Sequence, residues 1–246
     1  MIPELEDWFK DYEEERISQT GKILLCLGFV FLTHDEEHED DECWMGTTGY
    51  SMVLKDCVIM GSDRQKGNYS GSKTKLTEKT FSLDGVPVGY VRAGYEDDAD
   101  ALVELLKKCV REGCRDVAEM ANYVFDNAGS VLPANHRGHL LIGGYNQGSS
   151  EGHLYHVFNG GVLDIMASEN IKEIHGRFQV GSGKGGAFVR QNESYNFNMP
   201  EEEGITLFEE TIWYAIKNDK HTGLGVEYVV IRRSGPPLEI RETLTI

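Results

Sequence analysis

Two short stretches of this 246-residue chain carry residue types at spacings that could do chemistry by themselves. His34-Asp35-Glu36-Glu37-His38 has the H-x-x-E-H spacing of inverted zinc peptidases. That motif needs a helix packed along one face on a core. No apolar periodicity surrounds it, and Asp40, Asp41 and Glu42 follow, so the stretch reads as a solvated acidic linker. Gly181-Ser182-Gly183-Lys184-Gly185-Gly186 invites a phosphate-loop reading, but no Gly lies five positions before Gly183 and the G-x-x-x-x-G-K pattern fails. Taken singly, Asp63 reads as a turn or surface acid, Lys79 as a solvated strand-edge lysine, Gly94 as a bend and Ser182 as part of a plain turn. Any chemistry must come from their occurring together.

The elements that would position such residues begin where the chain changes character, at Gly46-Thr47-Thr48. Tyr50 to Ser62 is β-branched and apolar with one polar break at Lys55-Asp56, which predicts two strands joined by a tight turn. Lys66 to Lys75 reads as a Gly/Ser/Lys loop. Two short strands, Thr77–Leu83 and Val86–Ala93, flank the turn at Asp84-Gly85. Leu102, Leu105, Leu106 and Cys109 fall at i, i+3, i+4 and i+7, predicting a helix over 97–110. A second helix is expected over about 115–129, with strands at 139–145 and 154–159. A third helix is expected from about Gly185 to Tyr195, and a fourth from Pro200 to Ile216 with Glu201, Glu202 and Glu203 in its first turn. The last strand expected is Val226–Arg232. This order, strands and helices in segregated runs, is α+β and not βαβ alternation.

Composition bounds the function classes. There are 41 acids against 24 bases, a net charge of −17, the reverse of the concentrated Lys and Arg that phosphate contacts require. Residues 1–46 alone hold 14 acids and 3 bases. The apolar run Ile23–Leu32 is about half the ~20 residues a transmembrane helix needs, and the acidic residues before it do not make a secretory lead-in. No membrane span and no export are expected. Five cysteines without framework spacing (Cys26, Cys43, Cys57, Cys109, Cys114) read as reduced thiols of a cytoplasmic protein.

Considered together, the isolated residues fall into one pattern. The stretch from Gly46-Thr47-Thr48 through Lys55-Asp56 to Ser62-Asp63-Arg64 resembles the start of a proteasome β subunit, a threonine peptidase family of N-terminal-nucleophile hydrolases. There a propeptide ends in Gly, the mature chain opens Thr-Thr, and a strand pair leads to Asp-Arg. Asp63 lies 16 residues after Thr47 and Lys79 lies 32 after it, both at the family's spacing. Gly94 with Asp98-Ala99, Leu141-Ile142-Gly143-Gly144, His156-Val157-Phe158, Val180-Gly181-Ser182-Gly183 and Asp219-Lys220-His221-Thr222-Gly223 fit successive family stretches, so the resemblance covers 47–232. The chain departs from the pattern at Gly49 (commonly Thr), Gln65 (commonly Arg) and Asp97 (frequently Gly), and in having a long leader.

The resemblance implies an α+β fold: a four-layer αββα sandwich of two antiparallel sheets, with 1–46 an acidic leader or propeptide and 47–246 the β-type domain. It implies self-cleavage between Gly46 and Thr47. The freed α-amine of Thr47, with a reference pKa of roughly 7.7–8.0, would act as base for its own hydroxyl. Lys79 would lend positive charge beside that hydroxyl, Asp63 would hold Lys79, and the Gly94 N–H would form the oxyanion hole. Ser182, Asp219 and Thr222 would orient the amine. Arg92 aligns with the base of the specificity pocket and would favour acidic side chains through a charge-assisted pair, unless the inserted residue nearby places Val91 there instead. The expected partners are homo- or hetero-oligomeric ring subunits, α-type subunits, an ATPase unfoldase and unfolded polypeptide substrates, with no cofactor, metal, nucleic acid or membrane. The alternatives are a catalytically silent β-type scaffold subunit and a stand-alone N-terminal-nucleophile amidohydrolase.

Overall fold

The computed structural model of the chain describes residues 44–45, 47–68, 74–166, 176–182 and 194–243. Thirteen strands are placed: β1 (Trp44–Met45), β2 (Thr48–Val53), β3 (Cys57–Asp63), β4 (Gln65–Asn68), β5 (Thr74–Leu76), β6 (Thr80–Ser82), β7 (Val88–Gly94), β8 (Gly138–Tyr145), β9 (Gly152–Phe158), β10 (Gly161–Asp164), β11 (Arg177–Gly181), β12 (Gly225–Arg232) and β13 (Leu238–Thr243). The helices of the described residues are α1 (Glu96–Arg111), α2 (Val117–Ala128) and α3 (Glu201–Asn218).

Every residue of β2 and β3 is buried. Successive side chains of a strand point to opposite faces, so these strands must be covered on both. They lie in a five-stranded sheet of order β11-β2-β3-β12-β13, and a second five-stranded sheet has the order β10-β9-β8-β7-β6. All pairings in both are antiparallel. The outer face of the second sheet carries Tyr90, Leu140 and Ile142, which pack with Leu102 and Leu106 of α1 and Met120 and Val124 of α2 in one buried cluster. The outer face of the first sheet carries Tyr50, Met52 and Ile59, which pack with Leu207, Phe208 and Ile212 of α3. The result is four layers, helices–sheet–sheet–helix, as expected for the αββα sandwich.

The helix boundaries follow local chemistry. Glu96, Asp97 and Asp98 open α1, and Lys108 and Arg111 close it, each matching the sign of its helix end. The side chain of Asp116 caps α2 by accepting from the Glu119 N–H at 2.9 Å. Glu201 in the first turn of α3 holds Arg232 of β12 at 2.5 and 2.8 Å.

Several expectations change. The stretch 66–75 contains strand: β4 pairs with β1 on one side and β5 on the other. A further strand, β13, follows Arg232 and pairs with β12, because the turn at Ser234-Gly235 sends the chain back along β12. Cys109 and Cys114 are joined in a disulfide and are not free thiols. The chain turns at the end of α1, with the Cys114 N–H bonding the Cys109 carbonyl at 3.1 Å, and the two Cα atoms come within 5.6 Å. Cys57 is free and buried. The expected helix near 185–195, Cys26, Cys43, the apolar run 23–32 and the His34–His38 stretch lie outside the described residues, save for Ser194 and Tyr195. Among the described residues no helix is long and apolar enough to cross a membrane.

Phe208 is the pivot of the α3 layer. It is fully buried, lies parallel to the Tyr50 ring at 5.5 Å and meets Tyr228 at 5.2 Å. Phe208→Ala is expected to lower unfolding free energy by about 3–5 kcal/mol in a urea titration, since the rigid sheet cannot collapse into the space.

Candidate active site

The site is organised by Asp63, the last residue of β3, whose side chain is wholly buried. Its Oδ1 accepts from the Thr48 N–H at 2.8 Å and from Lys79 Nζ at 2.9 Å. Its Oδ2 accepts from the Gln65 N–H at 2.9 Å and the Gly223 N–H at 3.0 Å. Lys79 also donates to the Gln65 carbonyl. Burial pushes the Lys79 ammonium below its ordinary value, and the Asp63 carboxylate counters this by charge and hydrogen bond. Thr47 immediately precedes Thr48 and is 3% exposed.

A second carboxylate, Asp219, stands at the end of α3. Its Oδ2 accepts from the Ser182 hydroxyl at 2.5 Å and the Thr222 hydroxyl at 2.6 Å, and its Oδ1 from the His221 N–H at 3.1 Å. The hydroxyls of Thr48 and Thr222 are 2.7 Å apart. A hydroxyl has one proton, so if Thr222 donates to Asp219, Thr48 must donate to Thr222. Burial alone would raise the Asp219 pKa, but the bonds from Ser182, Thr222 and His221 outweigh it and leave it lowered. The Ser182 N–H donates to the Thr47 carbonyl at 2.9 Å. Asp63 and Ser182 thus bond the Thr47-Thr48 backbone directly, Lys79 joins through Asp63, and Thr222 links Asp219 to the Thr48 hydroxyl; Gly46 and Gly183 lie outside the described residues.

Gly94 ends β7 with φ +88°, and a Cβ there would stand 1.9 Å from the Arg137 carbonyl. Only glycine fits that backbone. Arg137 is fixed in turn by its N–H bond to Asp98 at 2.7 Å. Two residues earlier, the Arg92 N–H bonds the Lys79 carbonyl at 3.0 Å, so the specificity candidate is the strand neighbour of Lys79. The two candidates for the specificity position face opposite ways: Val91 is fully buried between the sheets beside Gly49, while Arg92 turns toward Glu96 and Asp100 of α1. There it lines a groove of about 660 Å³ with Phe81, Tyr90 and Asp100. Its guanidinium pairs with Asp100, lies 3.8 Å from Glu96 and donates to the Glu78 carbonyl at 2.9 Å. Lys66 grips both Glu96 oxygens at 2.6 and 2.7 Å.

A buried carboxylate absent from the sequence reasoning, Glu227 of β12, accepts from the backbone N–H groups of Lys79 and Thr80. Its signal was a lone acid inside the apolar run Val226–Ile231.

These residues belong to a recognisable lineage. A family model described as "Proteasome subunit" matches residues 45–231. The chain belongs to the proteasome subunit family. It is 30% identical over 200 residues to the proteasome subunit beta 1 of Thermococcus kodakarensis, covering 77% of this chain and 90% of that one. It is 25% identical over 205 residues to the proteasome subunit beta of Methanohalophilus mahii, with 80% and 91% covered. The corresponding subunit of Thermoplasma acidophilum is 27% identical over 199 residues, with 76% and 86% covered.

Within this proteasome-family framework, no group of three or more His, Cys, Asp and Glu that could hold a metal occurs among the described residues. What the arrangement offers is a buried ion pair that ends on the Thr48 N–H and a hydroxyl–carboxylate chain that ends on the Thr48 hydroxyl.

Asp63→Asn tests the first. Whichever oxygen becomes the amide nitrogen, two of the four donors lose their acceptor. The variant is expected to lose about 3–5 kcal/mol of stability by urea denaturation. Asp219 gives a pH prediction. Its folded pKa lies below its unfolded one, so its contribution is complete above about pH 4 and is lost as pH falls through the lowered value. Melting temperature should therefore fall less between pH 5 and pH 3 in Asp219→Asn than in the native chain.

Proposed function

We propose that this chain is a threonine-type endopeptidase subunit of a proteasome-like, self-compartmentalising ring, activated by self-cleavage between Gly46 and Thr47. One observation carries the reading: the Asp63 carboxylate holds both the Thr48 N–H and the Lys79 ammonium on a single oxygen. A lysine kept beside the first residues of a mature chain would be idle in a scaffold subunit.

In activation, the Thr47 hydroxyl adds to the Gly46 carbonyl, the Gly46–Thr47 bond breaks with the nitrogen taking the proton, and water hydrolyses the resulting ester. The freed α-amine, with a reference pKa of roughly 7.7–8.0, is deprotonated in a substantial fraction of molecules near neutrality and serves as base. In turnover it takes the Thr47 hydroxyl proton as the oxygen attacks the substrate carbonyl. The Lys79 ammonium favours the anionic oxygen, and the Gly94 N–H receives the developing oxyanion. The amine then protonates the leaving nitrogen, and water hydrolyses the acyl ester. Ser182, Thr222 and Asp219 orient the amine through the chain of hydroxyls.

The leader supports a masked state. Trp44–Met45 runs antiparallel along β4, with Trp44 opposite Asn68 and Met45 opposite Gly67, and Thr47 is buried. Removal of the leader exposes the β4 edge, where an extended peptide could add as a strand. Ring neighbours, α-type subunits and an ATPase that feeds unfolded chains complete this reading, in a cytoplasmic setting.

Arg92 supplies the specificity of the reading, but Asp100 and Glu96 already share its charge. Selection for acidic side chains should therefore be modest, about tenfold or less over leucine in kcat/KM. A fluorogenic peptide panel cleaved only after Leu, Phe or Tyr removes that assignment.

Intact-mass measurement of the purified assembly tests the whole. The expected chain begins at Thr47, and Thr47→Ala is expected to keep its leader and lose peptide hydrolysis by at least ~10³-fold. An uncut native chain without turnover supports the silent scaffold instead, and a monomer on gel filtration supports the stand-alone amidohydrolase.

A further inference from the structure

Glu227 is a buried carboxylate to which the peptidase reading gives no part. It sits on β12, 1% exposed. One oxygen, Oε1, gathers the backbone N–H of Lys79, the backbone N–H of Thr80 at 2.8 Å and the Ser62 hydroxyl at 3.3 Å. The other, Oε2, lies 3.8 Å from Arg64 Nε. A carboxylate in the core is costly unless its placement does something that a neutral side chain could not.

We propose that Glu227 is a positioning residue for Lys79, fixing where its ammonium stands and helping to keep it charged. The proposal rests on the peptidase reading and deepens it. Lys79 begins the short segment that leads into β6, in the second sheet, whereas Asp63 and Thr48 belong to the first. Only the side chain of Lys79 reaches Asp63. If its backbone were free to slide along the sandwich, the ammonium would miss both Asp63 and the Gln65 carbonyl. Glu227 removes that freedom: it projects from β12 of the first sheet and takes two consecutive N–H groups of the Lys79 segment on one oxygen. Ser62, next to Asp63, donates to Glu227 and lies 3.0 Å from the Thr80 hydroxyl, tying the same join from a third strand.

The charge acts in the same direction. Burial works against the Lys79 ammonium, as does the Arg92 guanidinium, while Asp63 and Glu227 favour it. Burial pushes the Glu227 carboxyl above its ordinary value, while the Lys79 and Thr80 N–H groups, the Lys79 ammonium and the Arg64 guanidinium favour its ionised form. Two carboxylates therefore face one buried lysine, one at its tip and one at its backbone. Replacing Glu227 with glutamine keeps an acceptor for the two N–H groups but deletes the charge.

The test is the pH dependence of peptide hydrolysis by the assembled ring with Glu227→Gln. The expected result is a kcat about tenfold lower with KM unchanged, and an alkaline limb displaced to lower pH by about half a unit or more, because Lys79 loses its proton more readily. A structural defect alone would lower the amount of active enzyme without moving that limb. Wild-type kcat and pH profile in Glu227→Gln overturn the proposal while leaving the peptidase reading in place. A native ring that starts at Thr47 and hydrolyses no peptide overturns both. Should Glu227→Gln fail to fold, Ser62→Ala decides: it deletes one donor to the same carboxylate and is expected to lower kcat about threefold at constant KM, whereas unchanged kcat counts against the assignment.

Discussion

A carboxylate has two oxygens and room for about four hydrogen bonds, and Asp63 has all four filled by protein donors. These donors come from Thr48 on β2, Gln65 on β4, Lys79 ahead of β6 and Gly223 ahead of β12. Three other chain segments, 15, 16 and 160 residues away, therefore meet the end of β3 at one buried charge. Strand register brings them there. Pairing of β3 with β2 sets Ser62 opposite Gly49, and pairing of β3 with β12 sets Asp63 opposite Val226. A one-residue slip in either pairing would turn Asp63 to the other face of the sheet and leave the Lys79 ammonium buried without a counter-charge. The sandwich is thus held in register by electrostatics at one end as well as by packing in its layers.

Much of the fold was legible because its signals are local. The α1 stripe of Leu102, Leu105, Leu106 and Cys109 buries as its period requires, and the Lys55-Asp56 break does separate two strands. What escaped detection depends on partners. β4 and β5 are short and polar, and exist as strands because they pair with each other and with β1, which no propensity in Lys66–Lys75 could announce. β13 is mostly exposed and takes its form from the edge of β12. The disulfide between Cys109 and Cys114 depends on how the chain turns after α1, and counting cysteines does not reveal a turn. The candidate site is read from the spacing of Asp63 and Lys79 from Thr47; in the fold Asp63 accepts from the N–H of Thr48, the next residue, and from the Lys79 ammonium. Glu227 was invisible because an acid in an apolar strand acquires meaning only when the facing backbone is known.

The departures from the family pattern acquire physical reasons. The usual arginine at position 65 is Gln65, but Lys79 bonds the carbonyl of that residue, which any side chain leaves in place. Gln65 instead bonds the Lys220 carbonyl at 3.1 Å, bracing the loop that carries Thr222 and Gly223. The position that is commonly threonine is Gly49, where a Cβ would stand 2.8 Å from Val180 and 2.9 Å from Val91. Here the two sheets close so tightly that the chain's own valines exclude a side chain. Asp97 is exposed in the first turn of α1, where a carboxylate suits the helix dipole.

The way Thr47 is held bears on whether a cut in the chain could leave the site intact. Its carbonyl accepts from the Ser182 N–H, and its neighbour Thr48 is gripped twice, by Asp63 at the backbone and toward Asp219 through the Thr222 hydroxyl. Each of these contacts lies on the C-terminal side of the Gly46–Thr47 bond. Breaking that bond would free β1 from the chain that follows it and would break none of the bonds that fix Thr48. The first residue of the shortened chain would therefore keep its position through its neighbour, while its nitrogen, no longer sharing its lone pair with a carbonyl, would gain basicity. On the proposed peptidase reading, a nucleophile anchored in this way would be assembled before activation, and activation would have only to uncover it.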